Sequence, residues 1–354
     1  MTDLLRFPEE ILTKFCIDLL MAVTVSEADA REISAAIIFA DKRGIASHGC
    51  SMLPGYIHHL RSNYLNPRPK MRMLADGLAY AIVDGDGGLG AITAAKCARI
   101  AIEKATKSGI GCVTARNSSH FGAGSYYALM MSNAAMIGEV ISNAPPVMAP
   151  TGSRERALGN NPYAVAAPTK NLPYLVLDIA TSVVAGRKVM AAAEAGEKLP
   201  SGWLMDSMGN PSTNPHDFSL GGTLVPLGGY KGYGLALAFE VLSGVLSGAG
   251  IASEIQKQEQ NSGGVGHIFR AINITAFMPL DVFYHRMDLL IGQMKNAEKA
   301  PGVREILIPG EAAYKHEVES NLLGVPLTKK TFGALTRLAS TLGVELLKIE
   351  NLSL

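Results

Sequence analysis

Two serine–histidine pairs, each followed by glycine-rich sequence, are the residues in this chain best suited to moving a proton. Ser47-His48 lies in GIASHGCSMLPGY, residues 44–56, and Ser119-His120 lies in NSSHFGAG, residues 117–124. Imidazole titrates near neutral pH, so either ring can serve as acid and base. One glycine-flanked histidine is more often structural than catalytic; two such segments in one chain strengthen the case for a site. After His120, Gly122 and Gly124 lead towards Tyr126 and Tyr127, and free backbone N–H groups near a helix start suit an anion. The clearest anion signal is PLGGYKGYG, residues 226–234. Lys231 is the only charge in that glycine-rich loop, and at the start of an apolar helix it opposes the helix dipole unless an anion is present. In GNNPYAVAAP, Asn160 and Asn161 can hydrogen-bond a ligand or satisfy a turn. LDIATS, residues 177–182, sets Asp178, Thr181 and Ser182 at a strand end, with Arg187 and Lys188 following. A helix N-cap with solvated basic residues is the structural alternative there. IPGE, residues 308–311, is another loop between strand and helix.

Other chemistries fit less well. GDGGLG, Gly85 to Gly90, matches a dinucleotide fingerprint between strand and helix, with Arg116 after the next strand. Asp84 and Asp86 would repel phosphates, and no regular βαβ alternation follows. A glycine-rich turn packing a helix on a sheet is the competing reading. The eight histidines show no metal-ligand spacing, so no metal is expected. A Ser–His hydrolase would need converging side chains, whereas neighbours diverge on a regular backbone, and no G-x-S-x-G elbow is present.

The elements that must position these residues follow from periodicity. Residues 8–22 predict a helix with Ile11, Phe15 and Leu19 on one stripe; SEAD at Ser26 caps a second, with Ile33, Ile37 and Ala40 apolar. A third covers Leu53 to Leu60, and NPRPK ends this helical layer. Strands are expected at AYAIVD, IGCVTA, EVISN, YAVAAP, YLVLDIA, AINITAF and REILIP, and helices at AITAAKCARIAIEKATKSG, Leu235 to Leu246, Val282 to Ala297 and Thr328 to Leu342. The chain divides into a helical segment, 1–75, packing with helices of 312–354, and a sheet-containing cofactor and substrate domain, 76–311. Its 354 residues carry a formal charge of +1, which gives no reason to expect nucleic acid or an anionic membrane as partner. No signal peptide or membrane span is expected, and Cys16, Cys50, Cys97 and Cys112 lack CxxC spacing; buried thiols in a reducing cytoplasm follow.

Together, RGIASHG, NSSHFGAGSYYA, MAPTGS, LGNNPYAVAAP, LDIATS, LPSGW, PLGGYKGYGLAL and IPGE resemble the type 2 malate/lactate dehydrogenase family, the sulfolactate dehydrogenase-like oxidoreductases, in the family's order from residue 43 to residue 311. The resemblance implies an α+β, non-Rossmann fold, its largely antiparallel sheet flanked by helices. It implies hydride transfer between NAD or NADP and a 2-oxo or 2-hydroxy acid, in a homodimer with the site near the interface. His48 is implied as proton donor or acceptor, with Ser47 orienting it and His120 as the second candidate. Cofactor contacts are implied for His120, Phe121, Gly122, Ala123, Gly124, Asp178, Ile179, Ala180, Gly229, Tyr230, Lys231, Pro309 and Gly310. Asn160 stands where relatives often carry a substrate-touching threonine.

Three departures bear on substrate. Many relatives have an arginine for the substrate carboxylate where this chain has Met52, and a thioether does not replace that clamp. Imine-reducing relatives carry aspartate where Lys188 stands, which favours oxo acids over the alternative, a cyclic imino acid (pyrroline- or piperideine-2-carboxylate) reductase. Lys188 could supply some of the missing positive charge. Arg187 replaces a common glycine beside the cofactor and could face the 2′-phosphate of NADPH. A ligand-binding protein on an enzyme scaffold is the reading from another class.

Overall fold

The computed structural model describes residues 4–170, 174–257 and 264–347. The N-terminal layer comprises β1 (Leu4–Phe7), α1 (Glu9–Met21), α2 (Glu27–Lys42) and α3 (Leu53–Arg61). Ser26 caps α2 as the sequence suggests, its Oγ accepting the Asp29 N–H at 3.2 Å. In α1 the buried stripe is Leu12, Phe15, Cys16 and Leu19, and Ile11 is 48% exposed, which corrects the expected face by one residue. Positions 11 and 12 both keep helical spacing to position 15; packing against α2 selects the second.

The middle of the chain supplies β2 (Arg72–Asp76), β3 (Tyr80–Asp84), α4 (Gly90–Ser108), β4 (Ile110–Ser118), α5 (Gly124–Asn133), β5 (Met136–Ser142), β6 (Tyr163–Ala167), β7 (Leu175–Ile179) and α6 (Gly186–Ala195). A small three-stranded sheet, β8 (Leu204–Met205), β9 (Pro211–Ser212) and β10 (Thr223–Leu224), follows. Then come α7 (Tyr230–Glu240), α8 (Glu254–Lys257), β11 (Val265–Asn273), α9 (Leu280–Lys295), α10 (Glu311–Leu323), β12 (Val325–Thr328) and α11 (Lys329–Leu342). A π-helical turn, Val241–Val245, extends α7.

The main sheet has seven strands in the order β2-β3-β4-β11-β5-β6-β7, and only β3 and β4 run parallel. α4 and α5 cover one face, burying alanines of α4 with Tyr127, Met131 and Phe269. A second core joins α1, α2 and α3 to Val325, Leu327, Leu335 and Ala339 from β12 and α11. β1 pairs with β12, tying the described chain ends together.

Two expected strands differ. The strand expected at AINITAF lies upstream, at Val265–Asn273, because Ile274–Ala276 turns into a 3-10 helix capped by Asn273. REILIP forms no strand. It offers the edge strand β7 one backbone bond, Val176 N–H to Pro309 O at 3.0 Å, before Gly310 turns away with φ +91°. Residues 348–354 of the expected C-terminal packing segment lie outside the described residues.

Strand polarity gathers the candidate residues. The register pairs Val265 with Ser118, His267 with Ser142 and Tyr163 with Ile179. The ends of β4, β5 and β7 and the starts of β6 and β11 therefore share one edge of the sheet.

Candidate active site

His48 stands on a single 3-10 turn, Ala46–His48, followed by a second, Cys50–Met52. Asp41 of α2 holds the second turn by accepting the Cys50 N–H at 2.7 Å, and Ser51 Oγ ties the two turns together by donating to Ala46 O at 2.7 Å. Gly49 is needed there, because a Cβ would lie 1.9 Å from the Asp41 carboxylate. Asp41 is 3% exposed, and burial pushes its pKa up to about 7 although the Cys50 N–H opposes the rise.

Ser47 Oγ and His48 Nδ1 lie 2.8 Å apart. The expectation that adjacent side chains diverge is thus corrected: it holds for regular helix and strand, and this pair sits on an isolated turn. The contact engages Nδ1 and leaves Nε2 as the second ring nitrogen. The His120 ring follows the end of β4 and stacks 5.4 Å from His48, centroid to centroid. Tyr56, from α3, brings its hydroxyl to 2.7 Å from His120 Nδ1.

The two histidines differ electrically. Burial lowers the His48 pKa, the Asp178 carboxylate raises it, and Arg187 lowers it. The His120 pKa is pushed well down, first by the surrounding protein and then by His48, His267 and Arg187, all in one direction. Although His120 opens onto the cleft, its imidazolium has only unfavourable neighbours. Asp178, at the end of β7, accepts the Ser125 N–H in the first turn of α5 at 2.8 Å. Its pKa is raised by burial against the Ser125 hydrogen bonds and the His48 charge.

Ser47, His48, Asn160 and Lys188 share a cleft of about 620 Å³. His120, Phe121, Gly122, Ala123, Gly124, Asp178, Ile179 and Ala180 complete much of its wall. Asn161 is instead structural: fully buried, it donates to Glu240 Oε2 at 2.7 Å and accepts the Ala144 N–H at 3.0 Å. His267 is structural too, buried between Ser142 and Ser118 and stacked on Phe121. Met52 lies beside the wall, its sulfur 3.3 Å from Arg187 Nη2. Gly229 caps α7 and Tyr230 and Lys231 form its first turn, outside the cleft wall; the loop before them is joined to the chain after β7 through the Leu227 N–H to Thr181 O bond of 2.8 Å. Pro309 and Gly310 sit against Val176 on β7, outside the cleft wall. GDGGLG also lies outside the wall: Gly90 packs α4 on the chain after β4, where a Cβ would meet Ser119 O at 2.1 Å.

Tyr56 and the pairing of Asp178 with His48 escaped the sequence reading. Tyr56 had one available signal, a hydroxyl-bearing ring on the inward face of the helix just after His48. The Asp178 charge at His48 had none, since 129 residues of chain lie between two positions that only the folded cleft brings together.

A mixed helix and sheet fold with two stacked histidines at the mouth of a glycine-rich cleft describes an acid–base enzyme. Comparison with known proteins gives its class. The malate/L-lactate dehydrogenase family model matches residues 7–336. A malate dehydrogenase of Pyrococcus abyssi is 40% identical over 351 residues, 97% of each chain. An L-sulfolactate dehydrogenase of Methanocaldococcus jannaschii is 36% identical over 94% of this chain and 96% of its own. The solved malate dehydrogenase of Pyrococcus horikoshii superposes with a TM-score of 0.91 at 36% identity, covering 98% of this chain and 99% of that one. The chain belongs to the malate/L-lactate dehydrogenase family. It is an NAD(P)-dependent dehydrogenase of the 2-hydroxy acid class.

Proposed function

We propose that this protein interconverts a 2-oxo acid and its 2-hydroxy acid with His48 carrying the proton. The observation that carries the reading is His48 itself. It stands on the cleft wall, held through Nδ1 by Ser47, and of the two stacked rings it alone has a carboxylate, Asp178, favouring its charged form. The dinucleotide supplies or accepts the hydride at the acid's C2. In reduction the C2 oxygen takes one proton, and His48 Nε2 donates it; in oxidation the same nitrogen takes it back. Neutral His120, its Nδ1 engaged by Tyr56, serves to orient rather than to protonate. Asn160 and Lys188 face the acid.

The chain fits a dinucleotide. At Gly122, φ is +84° and the space a Cβ would fill is open, so a ligand can approach the backbone. α7 is preceded by Gly228 and Gly229, both with positive φ, and has Lys231 but neither an acid nor a side-chain cap in its first turn. That combination suits a phosphate.

The acids named for the relatives, malate and sulfolactate, set the class carried to this chain. An exposed apolar row, Leu237, Val241 and Val245 on α7 and its π turn, supports a homodimer closing near the site. The two cores support a division into a terminal helical unit, 1–75 with 312–354, and a sheet domain, 76–311. No helix among the described residues is long and apolar enough to cross a membrane; with four free cysteines, this supports a cytoplasmic location. The test is oxidation of NADH and NADPH with pyruvate, oxaloacetate, 2-oxoglutarate and pyrroline-2-carboxylate. Turnover of an oxo acid is expected; turnover of the imine alone would refute the reading.

A further inference from the structure

The cleft around His48 has no arginine in its wall, yet an arginine acts on it. Arg187, in the first turn of α6, lays its guanidinium against Met52 with Nη2 3.3 Å from the sulfur. A thioether is a weak acceptor and does not neutralise the guanidinium; the carboxylate that feels its charge, Glu194 at the far end of α6, is already paired with Lys330. Arg187 makes no ion pair among the described residues. Its exposed position excludes a role in the core.

The guanidinium is also close to the chemistry. It lowers the pKa of His48, of His120 and of Tyr56, three groups that stand together across the cleft. A cation there opposes protonation of His48, the event that reduction requires. Two basic residues, Arg187 and Lys188, open α6, whose first turn has no acid, so both also oppose the helix dipole. An arrangement unfavourable to the protein in both respects becomes favourable once an anion sits between Arg187 and His48. Lys188 lines the wall beside it, but an ammonium is a point charge, whereas a guanidinium presents a planar fork matched to a carboxylate.

We propose that Arg187 is the guanidinium that binds the carboxylate of the 2-oxo acid, reaching over Met52 from α6. Position 52 is then free to be a methionine because the charge arrives from the neighbouring helix, and the thioether forms the apolar floor on which the guanidinium rests. The inference rests on the proposed function and deepens it.

The experiment compares wild type, Arg187→Met and the double variant Met52→Arg/Arg187→Gly. The readouts are KM and kcat for the best oxo acid, dinucleotide affinity, and calorimetric binding of oxamate to enzyme holding NADH. Oxamate resembles pyruvate and is not reduced, so this arm reads the anion site without turnover. Arg187→Met should raise KM and weaken oxamate about tenfold to hundredfold, with kcat and both dinucleotide affinities within about threefold. The double variant should regain much of the lost oxamate affinity. Unchanged oxamate binding in Arg187→Met, or a double variant no better than it, would overturn the assignment. So would a loss confined to NADPH, which would place Arg187 at the 2′-phosphate. Absence of oxo-acid turnover in the wild type would instead refute the proposed function.

Discussion

Asp41 gives a prediction in which the loop bearing His48 can be weighed against pH. Its carboxylate is buried beneath Gly49 and Cys50, accepts one backbone N–H, and has no cationic partner within hydrogen-bond reach among the described residues. Burial raises its pKa from 3.8 to about 7. The folded protein therefore binds this proton more tightly than the unfolded chain does. Between those two values the folded state holds the proton and the unfolded state has released it, so stability falls as pH rises through this window and is level above it. The rise corresponds to about 4 kcal/mol at most. Asparagine keeps the shape and the acceptor for the Cys50 N–H but does not titrate. Asp41→Asn should therefore lack this component, and its stability relative to wild type should increase by up to about 4 kcal/mol from pH 4 to pH 7. Urea unfolding of both proteins across that range measures the difference, and groups common to both cancel. Parallel stability curves would refute the account of a buried, titrating clamp.

Two further outcomes follow from the site and its surroundings. Asp178→Asn keeps an acceptor for the Ser125 N–H but removes the charge that raises the His48 pKa. Reduction needs the imidazolium, so its kcat/KM should fall away about one pH unit earlier as pH rises, and oxidation should persist to correspondingly lower pH; an unmoved profile would remove Asp178 from the acid–base pair. Val241→Asp on the exposed apolar row should dissociate the proposed homodimer in sedimentation at micromolar protein, and an unchanged assembly would place the interface elsewhere.

The sequence made the site legible where chemistry is local. Ser47-His48, NSSHFGAG and LDIATS each announce themselves by residue type and by nearby glycine or strand; the sheet brings the last two to one edge, and the turn after α2 adds the first to the same cleft. What was not legible is what depends on long-range packing. β1 and β12 are four residues each, and they pair across almost the whole chain, so neither carries a periodic signal of its own. Ile11 and Leu12 both fit the α1 pattern, and only the neighbouring helix decides between them. Asn160 and Asn161 are chemically equivalent in sequence; the buried Glu240 claims the second and leaves the first to the cleft. The resemblance sets Arg187 beside the cofactor, and only the fold shows that its guanidinium rests on Met52.

The central claim is that His48 carries the proton. Single-turnover oxidation of bound reduced dinucleotide by the best oxo acid, in wild type, His48→Ala and His120→Ala, tests it most directly. His48→Ala should lose about a hundredfold to ten-thousandfold in rate while dinucleotide affinity stays within a few-fold, and His120→Ala should lose much less. A His48→Ala enzyme that retains its rate while His120→Ala loses it would contradict the account and move the proton to the second ring.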